Sequence, residues 1–139
     1  MRAIAISVAL VAAAAIAFAA PAKPVPSSRL KAYKGPEGEI VVLVEANNSK
    51  QMLVHFRNVD GLDGKTLLYD YEDLGEHGKN VFINKKRGSK TYRSYLLSQS
   101  DGGWEFFHPD KPSVHFYLTY SEDTTNKIKV DDVLAAYKP

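Results

Sequence analysis

The sequence predicts a mainly β fold: an antiparallel β-sandwich or a small barrel of about seven strands, with a short C-terminal helix packed on it. Three observations support this prediction. Short segments rich in β-branched and aromatic residues recur between turns made of Gly, Asn and Asp. The sequence between these segments has no helical periodicity, which argues against βαβ units. Only the end of the chain repeats its apolar side chains with the period of a helix.

The chain starts with the pattern of a secretory signal peptide. Arg2 precedes an uncharged run at residues 3–18, and Ala17 and Ala19 place small side chains at the two positions that a signal peptidase recognises. The run is shorter than the roughly 20 apolar residues of a membrane-spanning helix. We therefore expect cleavage after Ala19, which removes residues 1–19, leaves no stable membrane anchor and delivers the protein to the periplasm or the extracellular space.

The remaining chain divides into two parts by composition. Residues 20–28 are rich in Pro, Ala and Ser, which predicts an extended linker, and residues 29–139 have the length of a single β-rich domain. The chain has no cysteine, which excludes disulfides, thiolate metal sites and the acylated thiol of a lipoprotein anchor. The net charge of only +2 does not favour nucleic-acid binding.

The strand assignment rests on β-branched runs and on alternation between apolar and polar side chains. Strands are expected over residues 39–45, 51–58, 65–72, 80–85, 90–99, 104–107 and 114–120. Residues 86–89, Lys-Arg-Gly-Ser, are expected to form a hairpin tip. The expected core consists of Ile40, Val42, Val44, Met52, Val54, Phe56, Leu67, Tyr69, Phe106, Phe116, Leu118 and Leu134.

The predicted helix lies at the end of the chain. Val130, Val133, Leu134 and Tyr137 stand at positions i, i+3, i+4 and i+7 and form one apolar stripe. A helix of about two turns does not persist alone in water. We therefore expect this helix to form only by packing its stripe on the sheet.

The sharpest charge feature is the basic run around the expected hairpin tip, with aromatic residues close by. A basic prong attracts an acidic surface, and exposed aromatic side chains on a rigid sheet are typical binding anchors. The candidate binding residues are Lys85, Lys86, Arg87, Lys90, Tyr92, Arg93, Tyr95, Phe107 and Tyr117. Two other interpretations remain open: a solvated hairpin whose lysines discourage edge pairing, and a sheet whose aromatic residues are buried on both faces.

Metal and catalytic sites have little support in the sequence. His55 and His115 fall on the polar faces of their strands, where solvated histidines are expected, and no HxH or HxxxH spacing occurs. The aspartates between Asp60 and Asp73 lack the spacing of a calcium loop. No nucleophile elbow, HExxH motif or phosphate-binding glycine loop is present. We expect no cofactor, no metal and no catalytic residue.

These observations favour an exported, noncatalytic binding module. Its partner would be a protein or an anionic envelope polymer, engaged through the basic hairpin and the nearby aromatic residues, and not a nucleic acid. One alternative is a small-ligand carrier with a cavity between the sheet and the terminal helix. A metal-dependent or hydrolytic enzyme is a second alternative, and a structural envelope component is a third. These residues carry no resemblance to a known family.

Overall fold

The computed structural model describes residues 22–73, 80–88, 93–99 and 101–139, and within these ranges eight antiparallel strands close into a barrel. The strands follow one another around the barrel in chain order. They are β1 (Pro26–Lys34), β2 (Ile40–Ala46), β3 (Gln51–Arg57), β4 (Thr66–Glu72), β5 (Val81–Gly88), β6 (Arg93–Ser98), β7 (Trp104–Phe107) and β8 (His115–Tyr120). Two short helices follow, α1 (Glu122–Thr125) and α2 (Val130–Ala135). The mainly β, antiparallel prediction is confirmed, in its barrel form.

Strand β1 extends the predicted set of seven strands to eight. It begins at Pro26, so residues 26–28 belong to the strand although composition placed them in the linker. Proline is tolerated at the first position of a strand, where its missing N–H interrupts no ladder. Strand β1 pairs with β2 along most of its length, but it pairs with β8 only through Tyr33↔Tyr120 and Lys34↔Thr119. The barrel therefore closes along a short seam.

Apolar side chains form two clusters, one on each side of the barrel wall. The first cluster draws on every strand and fills the interior; its buried members are Tyr33, Val41, Leu43, Met52, Val54, Phe56, Val59, Leu62, Tyr69, Phe82, Leu96, Phe106 and Leu118. The second cluster lies outside, between the wall and the C-terminal segment; its buried members are Ala32, Val42, Val44, Ala46, Leu53, Ile128 and Val133. The predicted core residues divide between the two, because β2 is buried on both faces.

The terminal helix packs as its apolar stripe predicts. Val133 is fully buried in the outer cluster, and Val130, Leu134 and Tyr137 pack against that cluster. The hydroxyl of Thr66 on β4 donates a hydrogen bond to the Val133 carbonyl at 2.8 Å. Helix α1, which the sequence analysis did not predict, begins at its cap residue Ser121. No helix within the described ranges is long and apolar enough to cross a membrane.

The two ends of the barrel differ. At the end that carries the β3–β4 loop, Val59 and Leu62 are buried inside the barrel. The ring of His108 lies 2.7 Å from the carbonyl oxygen of Asp60, and Lys111 forms an ion pair with the Asp60 carboxylate. These contacts hold the β7–β8 loop across the β3–β4 loop. The opposite end, which carries the β6–β7 turn, places aromatic side chains at the surface.

Candidate functional site

A groove of about 510 Å³ lies beside the seam between β1 and β8, at the end of the barrel that carries the β6–β7 turn. We call it the tyrosine groove. Its lining residues are Lys31, Tyr33, Asp101, Gly102, Gly103, Tyr117, Thr119 and Tyr120. Strand β8 ends at Tyr120, which pairs with Tyr33, whereas β1 extends beyond this pair as far as Pro26. The groove exists because β8 does not run alongside that part of β1. The first half of β1 therefore has no ladder partner on this side among the described residues.

Three tyrosines shape the groove, and strands hold all three. Tyr33 is only 4% exposed, whereas Tyr117 and Tyr120 are 41% and 48% exposed. The rings of Tyr33 and Tyr120 meet edge to face, with centroids 5.8 Å apart and planes at 71°. This geometry is favourable for aromatic pairs, so it fixes the exposed Tyr120 ring against a buried one. The groove thus presents rigid aromatic surface to solvent.

The hydroxyl of Tyr33 is a buried donor. The indole N–H of Trp104 can only donate, so the Tyr33 oxygen accepts the hydrogen bond between the two side chains. Burial raises the pKa of Tyr33 above its ordinary value; the Trp104 hydrogen bond lowers it by a smaller amount, and Tyr120 raises it further. The hydroxyl therefore keeps its proton at neutral pH. No described residue accepts that proton, and Tyr33 lines the groove although the residue is only 4% exposed.

Asp101 fixes the position of Tyr117. One carboxylate oxygen of Asp101 accepts a hydrogen bond from the Tyr117 hydroxyl and another, at 3.0 Å, from the backbone N–H of Gly103. The hydrogen bond to Asp101 raises the pKa of Tyr117 to about 12. The same bond lowers the pKa of Asp101, with help from the Gly103 N–H. The Asp101 charge is thus already engaged by two donors.

Gly103 allows the Tyr117 ring to lie over the β6–β7 turn. A Cβ at this position would lie 2.6 Å from the Tyr117 hydroxyl and 2.7 Å from the Leu118 carbonyl oxygen. Both distances are shorter than real Cβ contacts, and the second involves backbone that cannot rotate away. Residue 103 must therefore be glycine for Tyr117 to occupy this position.

Lys31 is the cation of the groove. It lies two residues before Tyr33 on β1, so the two side chains share one face of the strand. Lys31 is exposed and forms no ion pair with another described residue. Among the described residues, the ammonium of Lys31 has no ion-pair partner and the Tyr33 hydroxyl proton has no acceptor, and the groove combines these two groups with two exposed aromatic rings.

Phe107 and Tyr117, two of the predicted aromatic residues, lie on the outer face of β7 and β8. Phe107 is half-buried and stacks on the ring of His115, with centroids 5.3 Å apart and planes at 14°. His115 is also 3.4 Å from Glu105, which pairs with Tyr117 across the two strands. Of the predicted binding residues whose side chains the structure describes, only Tyr117 lines the tyrosine groove.

The predicted basic residues lie elsewhere. Lys85 and Lys86 are exposed on β5 and line a second groove, of about 300 Å³, together with Tyr137, Lys138 and Pro139. The backbones of Arg87, Arg93 and Tyr95 lie in β5 and β6, and their side chains are outside the described part of the structure. Lys90 and Tyr92 lie outside the described residues. The described basic residues of the hairpin thus do not share a groove with Tyr117.

The two histidines considered as metal ligands lie apart. His55 is not solvated as expected, because the C-terminal segment covers it: its Nδ1 lies 2.9 Å from the Thr66 hydroxyl, and Thr66 in turn contacts α2. His115 is exposed on β8. Within the described ranges, no three His, Asp or Glu side chains are arranged to hold a metal ion.

Sequence analysis missed Lys31, Tyr33 and Tyr120 as site residues. Tyr120 falls within the strand predicted over residues 114–120, but that prediction gives no sign of its exposure. The residues meet only because the first and last strands pair, more than 80 residues apart in the chain. No local pattern signals that pairing.

Comparison of the chain with family models, curated proteins and solved structures gave no match.

Proposed function

We propose that this protein is an exported, noncatalytic binding module that engages an anionic surface polymer. The observation that supports this proposal is the tyrosine groove, in which Tyr117 and Tyr120 lie half-exposed on a strand beside Lys31, whose ammonium forms no ion pair with another described residue. Exposed aromatic rings in fixed orientation bind partners with little loss of side-chain entropy. The export signal predicted in residues 1–19 would bring such a groove to the cell surface or its surroundings.

The exposed lysines favour an anionic ligand over a neutral or cationic one. Lys31 forms no ion pair with another described residue, whereas Asp101, which lines the same groove, keeps its negative charge while it accepts two hydrogen bonds. Lys85 and Lys86 add exposed positive charge on β5, where the sequence predicts further basic residues at the hairpin. A polymer with repeated negative charges could contact both surfaces of one molecule.

Packing beneath the terminal helix favours a surface site over an enclosed cavity for a small ligand. Val133 and Ile128 are buried against Val42 and Leu53, so apolar side chains fill the space between the barrel wall and α2. The tyrosine groove, by contrast, is open to solvent through Tyr120. A polymer chain can lie along such a groove, whereas a carrier would need to enclose its ligand.

Affinity electrophoresis in gels that contain dextran sulfate, alginate or neutral dextran tests the proposal. We expect an anionic polymer to retard the protein, dextran not to, and high salt to abolish the retardation. Charge reversal at Lys85 and Lys86 and, separately, at Lys31 then locates the contact surface. Equal retardation by dextran, or none by either anionic polymer, would contradict the proposal. Capture of a protein partner from an envelope extract that contains no polysaccharide would also contradict the proposal.

A further inference from the structure

We infer that the tyrosine groove is a subsite for one uronic-acid residue, a pyranose ring that carries a carboxylate. This inference rests on the proposed function and names the chemistry of the ligand at the groove. It follows from three features of the lining: two exposed rings, two hydrogen-bond donors that have no acceptor among the described residues, and one carboxylate that already accepts two hydrogen bonds.

The exposed rings suit the apolar face of a sugar. One face of a pyranose presents C–H groups, while its hydroxyls project around the rim. A tyrosine side chain likewise has an apolar ring and a polar hydroxyl. When a sugar stacks on the side chain, its C–H groups cover the ring and its hydroxyls lie near the tyrosine hydroxyl. A groove of about 510 Å³ has room for one ring and part of its neighbours in a chain. The exposed parts of the Tyr117 and Tyr120 rings, which lie on opposite faces of β8, each offer a place for a sugar to stack.

The free donors suit the carboxylate of the sugar. Lys31 supplies an ammonium, and Tyr33 supplies a hydroxyl proton that no described residue accepts. A carboxylate has two acceptor oxygens, whereas a methyl ester or a neutral hydroxymethyl group carries no charge to pair with Lys31. Hydrogen bonds between charged groups are about twice as strong as neutral ones. The groove should therefore distinguish a uronic acid from its uncharged analogues.

Asp101 sets the orientation of the sugar ring in the tyrosine groove. Its carboxylate repels a second negative charge, and it retains lone pairs that can accept a sugar hydroxyl in addition to its two existing bonds. The sugar carboxylate would thus lie on the side of Lys31 and Tyr33, with the hydroxyls of the ring toward Asp101. A cationic amino sugar would meet the unpaired ammonium of Lys31 and be disfavoured.

Isothermal titration with hexagalacturonate and with its fully methyl-esterified form tests the inference, because esterification removes the negative charges and leaves the sugar rings and their hydroxyls unchanged. We expect binding of the acid form and at least about tenfold weaker binding of the ester. Lys31→Met and Tyr120→Ala should each weaken binding of the acid form about tenfold or more. Tyr33→Phe, which removes only the hydroxyl, should weaken it about fivefold.

Matched controls come from residues outside the groove. Lys34→Met removes an exposed ammonium from the opposite face of the same strand, and Tyr71→Ala removes another exposed ring; both should bind normally. Melting temperatures separate loss of binding from loss of folding. The inference is wrong if the ester binds as well as the acid, if the groove variants bind normally, or if hexagalacturonate does not bind. If hexagalacturonate does not bind but dextran sulfate still retards the protein in the gel, the inference fails and the proposed function stands.

Discussion

The outer faces of β2 and β8 differ in what covers them. On β2 the outward side chains of Val42 and Val44 are fully buried, because α2 and the residues before it pack over them. On β8 the outward Tyr117 is 41% exposed and lines a groove. The difference shows that the outer face of a strand is buried only where another segment of the chain packs against it. The covered face stabilises the barrel, and the uncovered face is the one available for binding.

The largest expected effect comes from breaking the covered face. Val133→Asp places a charge where Val133 is fully buried among apolar side chains, and it should lower the free energy of unfolding by about 3 kcal/mol or more. Urea denaturation measures the loss. Thr119→Asp, on the uncovered face, is the matched control and should change stability little. Equal losses at the two positions would contradict the distinction between the faces.

A smaller effect is expected where the uncovered face depends on close packing. Gly103→Ala introduces a methyl group 2.7 Å from the Leu118 carbonyl oxygen and 2.6 Å from the Tyr117 hydroxyl. It should lower the free energy of unfolding by about 1–3 kcal/mol and displace the Tyr117 ring. Gly102→Ala is the control for the turn itself: it meets no atom within 4 Å, and its strain comes only from a φ of +85°. If both variants are equally stable, the contact with Tyr117 does not constrain residue 103.

The covered face also predicts a pH dependence of stability. Burial lowers the pKa of His55 below its ordinary value; Arg57 lowers it further, and Asp63 and Asp132 oppose the shift. The unfolded chain then binds a proton more readily than the folded one, so stability should fall as the pH drops below about 6.5. Below the folded pKa of His55, the loss should reach a constant value.

Urea denaturation between pH 7.5 and 5 measures this slope, to which one histidine contributes at most about 1.4 kcal/mol per pH unit. His55→Gln should reduce the slope, although it will also alter stability at every pH. His115→Gln, on the uncovered face, makes the same chemical change away from α2. An unchanged slope in His55→Gln would show that His55 is not its source.

The smallest expected effect concerns a single hydroxyl on the uncovered face. Tyr117 should titrate with a pKa of about 12, because its hydroxyl donates a hydrogen bond to Asp101. In Asp101→Asn the pKa should fall toward its ordinary value of 10.0. Difference ultraviolet titration against Tyr117→Phe isolates this tyrosine. Identical titration curves with and without the Asp101 carboxylate would show that the two side chains are not hydrogen-bonded.

Sequence analysis predicted what local patterns encode. β-branched runs and alternation located seven strands, and the stripe of Val130, Val133, Leu134 and Tyr137 located the terminal helix and its packed face. It could not predict the tyrosine groove, because Tyr33 and Tyr120 meet through a pairing between the first and last strands. The apolar run on β2 was equally ambiguous: it does not show that Val41 faces inward while Val42 faces α2.

The basic hairpin and the tyrosine groove are thus two separate candidates for the binding surface. The hairpin follows from local charge, whereas the groove follows from the closure of the barrel. Lys85 and Lys86 lie beside the C-terminal residues, and Tyr117 lies beside β1. A binding measurement that reports position along the backbone can therefore separate them.

Nuclear magnetic resonance titration of ¹⁵N-labelled protein with hexagalacturonate tests the central claim most directly. The tyrosine groove predicts saturable shift changes at the backbone amides of Lys31, Gly102, Gly103 and Thr119, with little change at Lys85 and Lys86. Changes confined to Lys85 and Lys86, or spread over the barrel without saturation, would contradict the claim that the closing seam forms the binding site.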